Sequence, residues 1–355
     1  MRRSDTPARI GGDEFVVLCD PVIRASDVTV IANHLREIMQ PPFLVEGRQI
    51  NMRFSIGVAI AGAQTSAREL LDQADLAVAQ AKIGGRNRIT VYDAELKAKA
   101  EQRVKTENEL GLAIGTDEIA VVYQPIARLL DGAIAGYEAL VRWNHPQLGM
   151  LSPASFLTVA EDSGLIAPLG RQVLRDSLTQ LLRWHSDIDA NLMLHVNVGT
   201  RQLHDPAFAS DVSAECAAAG VDPRFLCFEI TETSLVKSLD LTTASLNAIR
   251  HLGAHIAMDA FGTEFSSLGH LHHLPVTTLK IDRSFVQDIM VPPYGRTIVE
   301  AVVNLAHGLG KMVVAEGIET IGQAEMMQDL GCDLAQGSFF SWPVPATSIN
   351  AASLH

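Results

Sequence analysis

From Glu118 onward the chain repeats one rhythm: apolar runs of four to six residues, each closed by a single polar residue and followed by a helical pattern. Seven closing residues can be named. They are Glu138 after 134–137, Asn197 after 192–196, Glu229 after 225–228, Asp259 after 255–258, Lys280 after Leu279, Glu316 after 312–315, and Gln336 within 332–337. Such runs read as buried strands, and their alternation with helices predicts an α/β fold of repeated βα units. The size suits a (β/α)8-type barrel, although periodicity alone also admits a doubly wound open sheet. The polar closures favour the barrel, whose rim gathers all strand ends into one place.

The 355-residue chain is 47% hydrophobic and 19% charged, which describes a packed globular protein. Its formal net charge of −13 argues against broad binding to a nucleic acid polymer or an anionic membrane, while a small phosphate ligand needs only a few local arginines. No apolar run approaches the roughly 18 residues of a membrane span. Met1-Arg2-Arg3 leads into Ser4-Asp5-Thr6-Pro7, so no signal peptide is expected. Cys19, Cys216, Cys227 and Cys332 show no C-x-x-C spacing and read as reduced thiols of a cytoplasmic protein.

Residues 1–93 read as a separate α+β part. A turn at 11–14 precedes the strand 15–18, an amphipathic stretch spans 28–39, and 43–60 reads as a hairpin turning at Glu46-Gly47. A helix over 67–82 stops at Gly84-Gly85. A strand at residue 15 with almost nothing before it suggests a truncated domain. Residues 94–115, rich in Ala, Glu and Lys and free of Pro, read as a linker helix, and 116–348 as the barrel.

Glu138, Asn197, Glu229 and Asp259 offer oxygen donors, the ligand type preferred by hard cations such as Mg²⁺ or Mn²⁺. Lys280 could orient a water, and Glu316 could accept its proton or bind a second cation. Taken singly, each is more often a cap or a salt bridge. Taken together, ionised groups at buried strand ends carry a desolvation cost that function explains, and the set points to metal-assisted hydrolysis of a phosphate ester. His270, His272 and His273 read as surface or mouth histidines, and Met326-Met327 as packing. Trp143 reads as packing at the barrel mouth, with base stacking as the alternative.

The string Tyr123-Gln124-Pro125-Ile126, followed by Tyr137-Glu138-Ala139-Leu140-Val141-Arg142-Trp143-Asn144-His145-Pro146, resembles the EAL domain of cyclic di-GMP phosphodiesterases. The resemblance continues through Asn197-Val198, Glu229-Ile230-Thr231-Glu232, 279–285, 315–320, and 331–337. It implies a (β/α)8-type barrel with an antiparallel first strand pair, and cleavage of one phosphodiester of cyclic di-GMP to linear pGpG. It also implies roles for single residues. Glu138, Asn197, Glu229 and Asp259 would be metal ligands, with Lys280 and Glu316 serving the hydrolytic water and second metal. Gln336, Glu232 and Glu319 would support them, and Gln124 and Arg142 would hold the ligand. For Asp282 and Arg283 a helix-start role is as good a reading. Partners expected from the resemblance are cyclic di-GMP, a second copy through the EAL domain, and a protein effector.

Arg9 to Phe15, Ser55 to Ala59, Ala74-Asp75 and 81–88 resemble the C-terminal half of a GGDEF diguanylate cyclase domain. The metal-ligand strand and guanine-binding segment that precede this turn in that family have no counterpart here, so cyclase activity is not expected.

Two positions depart from the EAL pattern. Ala260 stands where the family has a second Asp, which removes a ligand of the second cation, and Glu264 replaces a glycine. Three readings follow: a phosphodiesterase of reduced or metal-dependent activity, an inactive cyclic di-GMP receptor, or a partner-binding module that no longer takes the nucleotide. Intact Gln124 and Arg142 speak against the third.

Overall fold

The computed structural model describes residues 5–20, 22, 24–236, 239–262, 271–272, 274–290 and 294–350. The chain divides into two units, 1–105 and 106–355.

In the first unit, β1 (Thr6–Gly11) and β2 (Glu14–Leu18) form an antiparallel hairpin, so the strand at residue 15 has a partner. After α1 (Ala25–Ile38) comes a second hairpin, β3 (Phe43–Val45) with β4 (Arg48–Ile50). The expected long strand to residue 60 breaks there. Instead β5 (Ile56–Val58) pairs in parallel with β6 (Ile89–Val91), with α2 (Ala67–Ile83) connecting them. The reason lies in Gly57: a Cβ there would sit 2.3 Å from Ala74 O and Val78 N, so the bare backbone lets α2 lie on β5. Ser66 and Glu69 cap the start of α2 reciprocally, and Gly84 closes it. The ladders of this unit stay two-stranded, and Phe15 and Leu44 are exposed.

The helix α3 (Ala94–Ala113) crosses the division between units. Its first half is solvated and carries the i,i+4 pairs Glu95–Lys99 and Lys97–Glu101. Its last turns bury Leu110 and Ala113 in a cluster with Trp143 and Phe156.

The second unit is a closed eight-stranded barrel in the order β7–β15–β14–β13–β12–β11–β10–β8, sealed by pairing of β8 with β7. Its strands are β7 (Ile119–Arg128), β8 (Ile134–His145), β10 (Met193–Asn197), β11 (Leu226–Thr231), β12 (His255–Phe261), β13 (Thr278–Ile281), β14 (Met312–Glu316) and β15 (Leu334–Gln336). β9 (Gly149–Leu151) extends β8, and β16 (Val344–Pro345) pairs with β7. β7 runs antiparallel to both neighbours, as the EAL resemblance implies, and the other barrel contacts are parallel.

Strand alternation divides the chemistry. Leu194, Val196, Phe228, Ile256, Met258, Leu279, Val313 and Ala315 join the core beneath the helices, each large side chain contributing about 1.5–3 kcal/mol on burial. Their neighbours His195, Asn197, Glu229, Asp259, Lys280 and Glu316 occupy the opposite face, inside the barrel. Among the described residues, no helix is long and apolar enough to cross a membrane.

Four residues expected at strand ends lie elsewhere, Lys280 by a single residue before the end of β13. Glu138 projects from the middle of β8, because the hairpin with β7 carries that strand on to His145. Glu229 stands two residues before the end of β11, and Asp259 two before the end of β12. In β12 the register with β13 moves from Met258↔Leu279 to Phe261↔Ile281. Asp259-Ala260 therefore forms a bulge with one extra residue, and Ala260 adopts φ +52°. Glu264, His270 and His273 lie outside the described residues, while His272 is exposed in a turn.

Candidate functional site

Register brings the polar groups to one level inside the barrel. Asn197 lies opposite Glu229, Glu316 opposite Gln336, and Gln124 opposite Glu138. At the centre is Lys280, 1% exposed. Its Nζ lies 2.6 Å from Glu229 Oε2, 2.7 Å from Glu316 Oε1 and 3.4 Å from Glu138 Oε2. Glu138 accepts from Asn197 Nδ2 at 2.6 Å on one oxygen and from Gln336 Nε2 at 2.7 Å on the other. Gln336 Nε2 also donates to Gln124 Oε1 at 3.0 Å, and Gln124 Nε2 donates to Ser341 O at 3.1 Å. One connected network thus joins seven barrel strands, β7, β8, β10, β11, β13, β14 and β15, and the segment after β15.

The electrostatics follow from this crowding. Burial works against the charge on Lys280, but Glu138, Glu229, Glu316 and Asp259 outweigh it and hold its pKa well above the usual lysine range. Burial likewise opposes the charge on Glu138, where Lys280 and the Gln336 and Asn197 donors prevail and hold the carboxyl below its ordinary value. Glu229 has the opposite balance: burial and then the neighbouring Glu138 push it well above the usual range. Burial pushes Glu316 up to about 8, with Lys280 acting against that rise.

Three carboxyls meet one ammonium. Among the described residues, no three His, Cys, Asp or Glu side chains are drawn together as a metal-ligating cluster, because Lys280 stands between the carboxylates. The donor set still suits a hard divalent cation: oxygen donors from Glu138, Asn197, Glu229 and Asp259, with more negative charge than Lys280 neutralises. Gln336 Oε1 is also buried without a hydrogen-bond donor. The residues present therefore fit such an ion.

Other expected site residues stand apart from this cluster. Asp259 is half-buried and its Oδ1 accepts from Ala260 N at 2.8 Å. Arg142 shares a face of β8 with Glu138, four residues and about 13 Å further along the strand. It is half-buried, and Nη1 donates to Val141 O at 2.8 Å. Glu232 starts the helix Glu232–Val236, buried, with neither carboxylate oxygen hydrogen-bonded. Glu319 is exposed. Asp282 is a helix N-cap accepting from Ser284 N at 2.9 Å, the geometry of its helix-start reading. Trp143 is buried, and its Nε1 donates to Glu118 Oε2 at 3.1 Å, so it packs and does not present a face to a base. One residue at the centre was missed by sequence reasoning. His195 Nδ1 meets Glu229 Oε1 at 2.8 Å. The signal was its position two residues before Asn197, on the same face of β10.

Residues 107–343 match the EAL domain family. The chain belongs to that family. Residues 1–88 match the GGDEF domain of diguanylate cyclases. Cyclic di-GMP phosphodiesterase NbdA of Pseudomonas aeruginosa is 36% identical over 350 residues, covering 98% of this chain and 45% of NbdA. Bifunctional diguanylate cyclase/cyclic di-GMP phosphodiesterase MucR of the same species is 33% identical over 353 residues, covering 99% of this chain and 51% of MucR. The chain spans about half the length of the curated relatives it matches. The structure of the PaMucR phosphodiesterase in complex with c-di-GMP superimposes with a TM-score of 0.66 at 33% identity, over 69% of this chain and 99% of that one. The FimX EAL domain from Pseudomonas aeruginosa bound to c-di-GMP gives 0.62 at 25% identity, over 67% and 96%. The fold of the second unit is thus shared with EAL structures that are described as holding c-di-GMP.

Proposed function

We propose that the EAL unit binds cyclic di-GMP and hydrolyses one phosphodiester to give linear pGpG, slowly and only with Mg²⁺ or Mn²⁺. The observation that carries this reading is the buried Lys280 held by Glu229, Glu316 and Glu138 inside an EAL-family barrel. The nucleotide named for the PaMucR and FimX structures supports the ligand.

Glu138, Asn197, Glu229 and Asp259 would hold the cation. When bound, it supplies charge stabilisation at the phosphoryl oxygens. Lys280 orients the attacking water, and Glu316, 2.7 Å from the Lys280 ammonium, can accept the water's proton when it is ionised. Gln336 and Gln124 fix the Glu138 carboxylate and the adjoining backbone, while Glu232 supports the site from the end of β11. Arg142 offers a forked donor to phosphate further up the mouth.

Ala260 favours a second reading, a receptor that holds cyclic di-GMP without turning it over. Such a receptor would signal through a second copy at the EAL domain or through a protein effector. The working domain limits are 1–93, 94–115 and 116–348, and the unpaired cysteines suit a cytoplasmic setting.

Calorimetric titration with cyclic di-GMP, paired with a hydrolysis assay in Mg²⁺ and in Mn²⁺, separates the readings. Binding with pGpG formation supports the enzyme. Tight binding without pGpG supports the receptor, and absence of binding rejects both.

A further inference from the structure

His195 is 5% exposed on the inner face of β10, and Glu229 is 1% exposed on the adjacent strand. A carboxylate so deeply buried needs a donor for each oxygen. Lys280 serves Oε2 at 2.6 Å, and His195 Nδ1 serves Oε1 at 2.8 Å. An imidazole N–H at Nδ1 can donate to a carboxylate whether the ring is neutral or charged. The backbone under His195 is pinned on both sides, opposite Glu138 of β8 and Cys227 of β11. The ring therefore approaches Glu229 from a rigid element.

We infer that His195 is a positioning residue for Glu229, holding Oε1 so that the carboxylate presents Oε2 to a divalent cation at the barrel centre. This rests on the metal-dependent reading given above. The consequence is chemical: a carboxylate with one oxygen committed to an N–H donor binds an ion through the other and cannot swing to chelate with both. Hydrogen-bond partners of ligating groups fix orientation and raise affinity in this way. A merely structural role would require His195 to fill space and satisfy burial, without any influence on cation affinity.

His195→Asn and His195→Leu separate the two roles, because Asn and Leu have similar shapes and only Asn keeps an N–H near the Nδ1 position. Mn²⁺ is titrated into the full chain by calorimetry and by electron paramagnetic resonance, with thermal melts to check folding. The expected result is Mn²⁺ binding weakened about 10–100-fold in His195→Leu and restored to within about threefold of the parent in His195→Asn. Cyclic di-GMP turnover is expected to show the same order in kcat, with KM little changed. A folded Leu variant with parental Mn²⁺ affinity overturns the inference, as does an equal loss in both variants. Should His195→Leu fail to fold, Asn decides: retained affinity supports the role and a tenfold loss overturns it. If the parent chain takes no Mn²⁺, the metal-dependent reading falls and this inference with it. Parental binding with an unaffected Leu variant removes this inference alone.

Discussion

Two parts of the barrel mouth, β12 alone and the strands that flank it and complete the ring, are built on different terms. In the ring, β8, β10, β11, β13, β14 and β15 bring Glu138, Asn197, Glu229, Lys280, Glu316 and Gln336 into contact, and most carboxylate oxygens there meet a donor between 2.6 and 3.4 Å away. By contrast, β12 carries Asp259 and Ala260 in a bulge, with Asp259 hydrogen-bonded to the adjoining backbone N–H. The ring residues are held in place by many partners at once. The β12 part depends on two consecutive residues, one of them without a polar side chain. Loss of a single group is therefore felt very differently in the two parts.

The sharpest way to break this contrast is Lys280→Met. It leaves Glu138, Glu229 and Glu316 without their common cation, and removing one partner of a buried ion pair typically costs about 3–5 kcal/mol. Urea unfolding of the metal-free variant should show a loss of that order, partly recovered by adding Mn²⁺, together with loss of turnover. A metal-free stability equal to that of the parent chain would show that the three carboxylates do not depend on Lys280.

Glu316→Gln should lower turnover about 100-fold, in line with loss of a general base. The same substitution tests the raised pKa. In the folded metal-free chain Glu316 is pushed up to about 8 from an ordinary 4.5, so between those values the native state binds more protons than the unfolded one. Its contribution to stability is complete below about 4.5 and is lost as pH rises through about 8. Unfolding of the metal-free parent should become easier from pH 5 to pH 9, and Glu316→Gln should flatten that slope. An unchanged slope would place the titration on another group.

In β12, Ala260→Asp should raise turnover by about tenfold or more and leave the cyclic di-GMP dissociation constant within about threefold, because a second carboxylate serves the reaction more than recognition. If turnover does not move, Ala260 is not what limits the enzyme. The smallest effect is expected from Ala260→Gly. At φ +52° an alanine is strained and a glycine is not, so stability should rise by up to about 1 kcal/mol without a gain in turnover. A destabilised Gly variant would mean that the Ala260 methyl packs usefully in the bulge.

Much of this was legible from residue types and spacing. The ends of β10, β14 and β15 at Asn197, Glu316 and Gln336 follow directly from apolar runs closed by a polar residue, since a parallel strand buried on both faces announces its exit in that way. Glu138 defeated the same rule, because β8 is the second arm of a hairpin with β7 and antiparallel pairing prolongs it past the polar residue. In the first unit, alternation from 50 to 60 suggested one continuing strand. The chain instead leaves the hairpin for β6, a choice made by a partner about 30 residues away in sequence and by the close approach of α2 to Gly57. His195 was visible as an inward-facing position, but its importance was not, because Glu229 comes 34 residues later.

By itself the sequence determined the barrel rhythm, the inward set of oxygen donors, the family and the missing second carboxylate at 260. These are local matters of side-chain type and strand period. Only the tertiary structure decided that Lys280 meets three carboxylates, that His195 holds Glu229, and that Ala260 sits in a left-handed bulge. Each of these depends on a neighbouring strand, because burial, the proximity of charges and the register between strands are properties of residues brought together across the barrel.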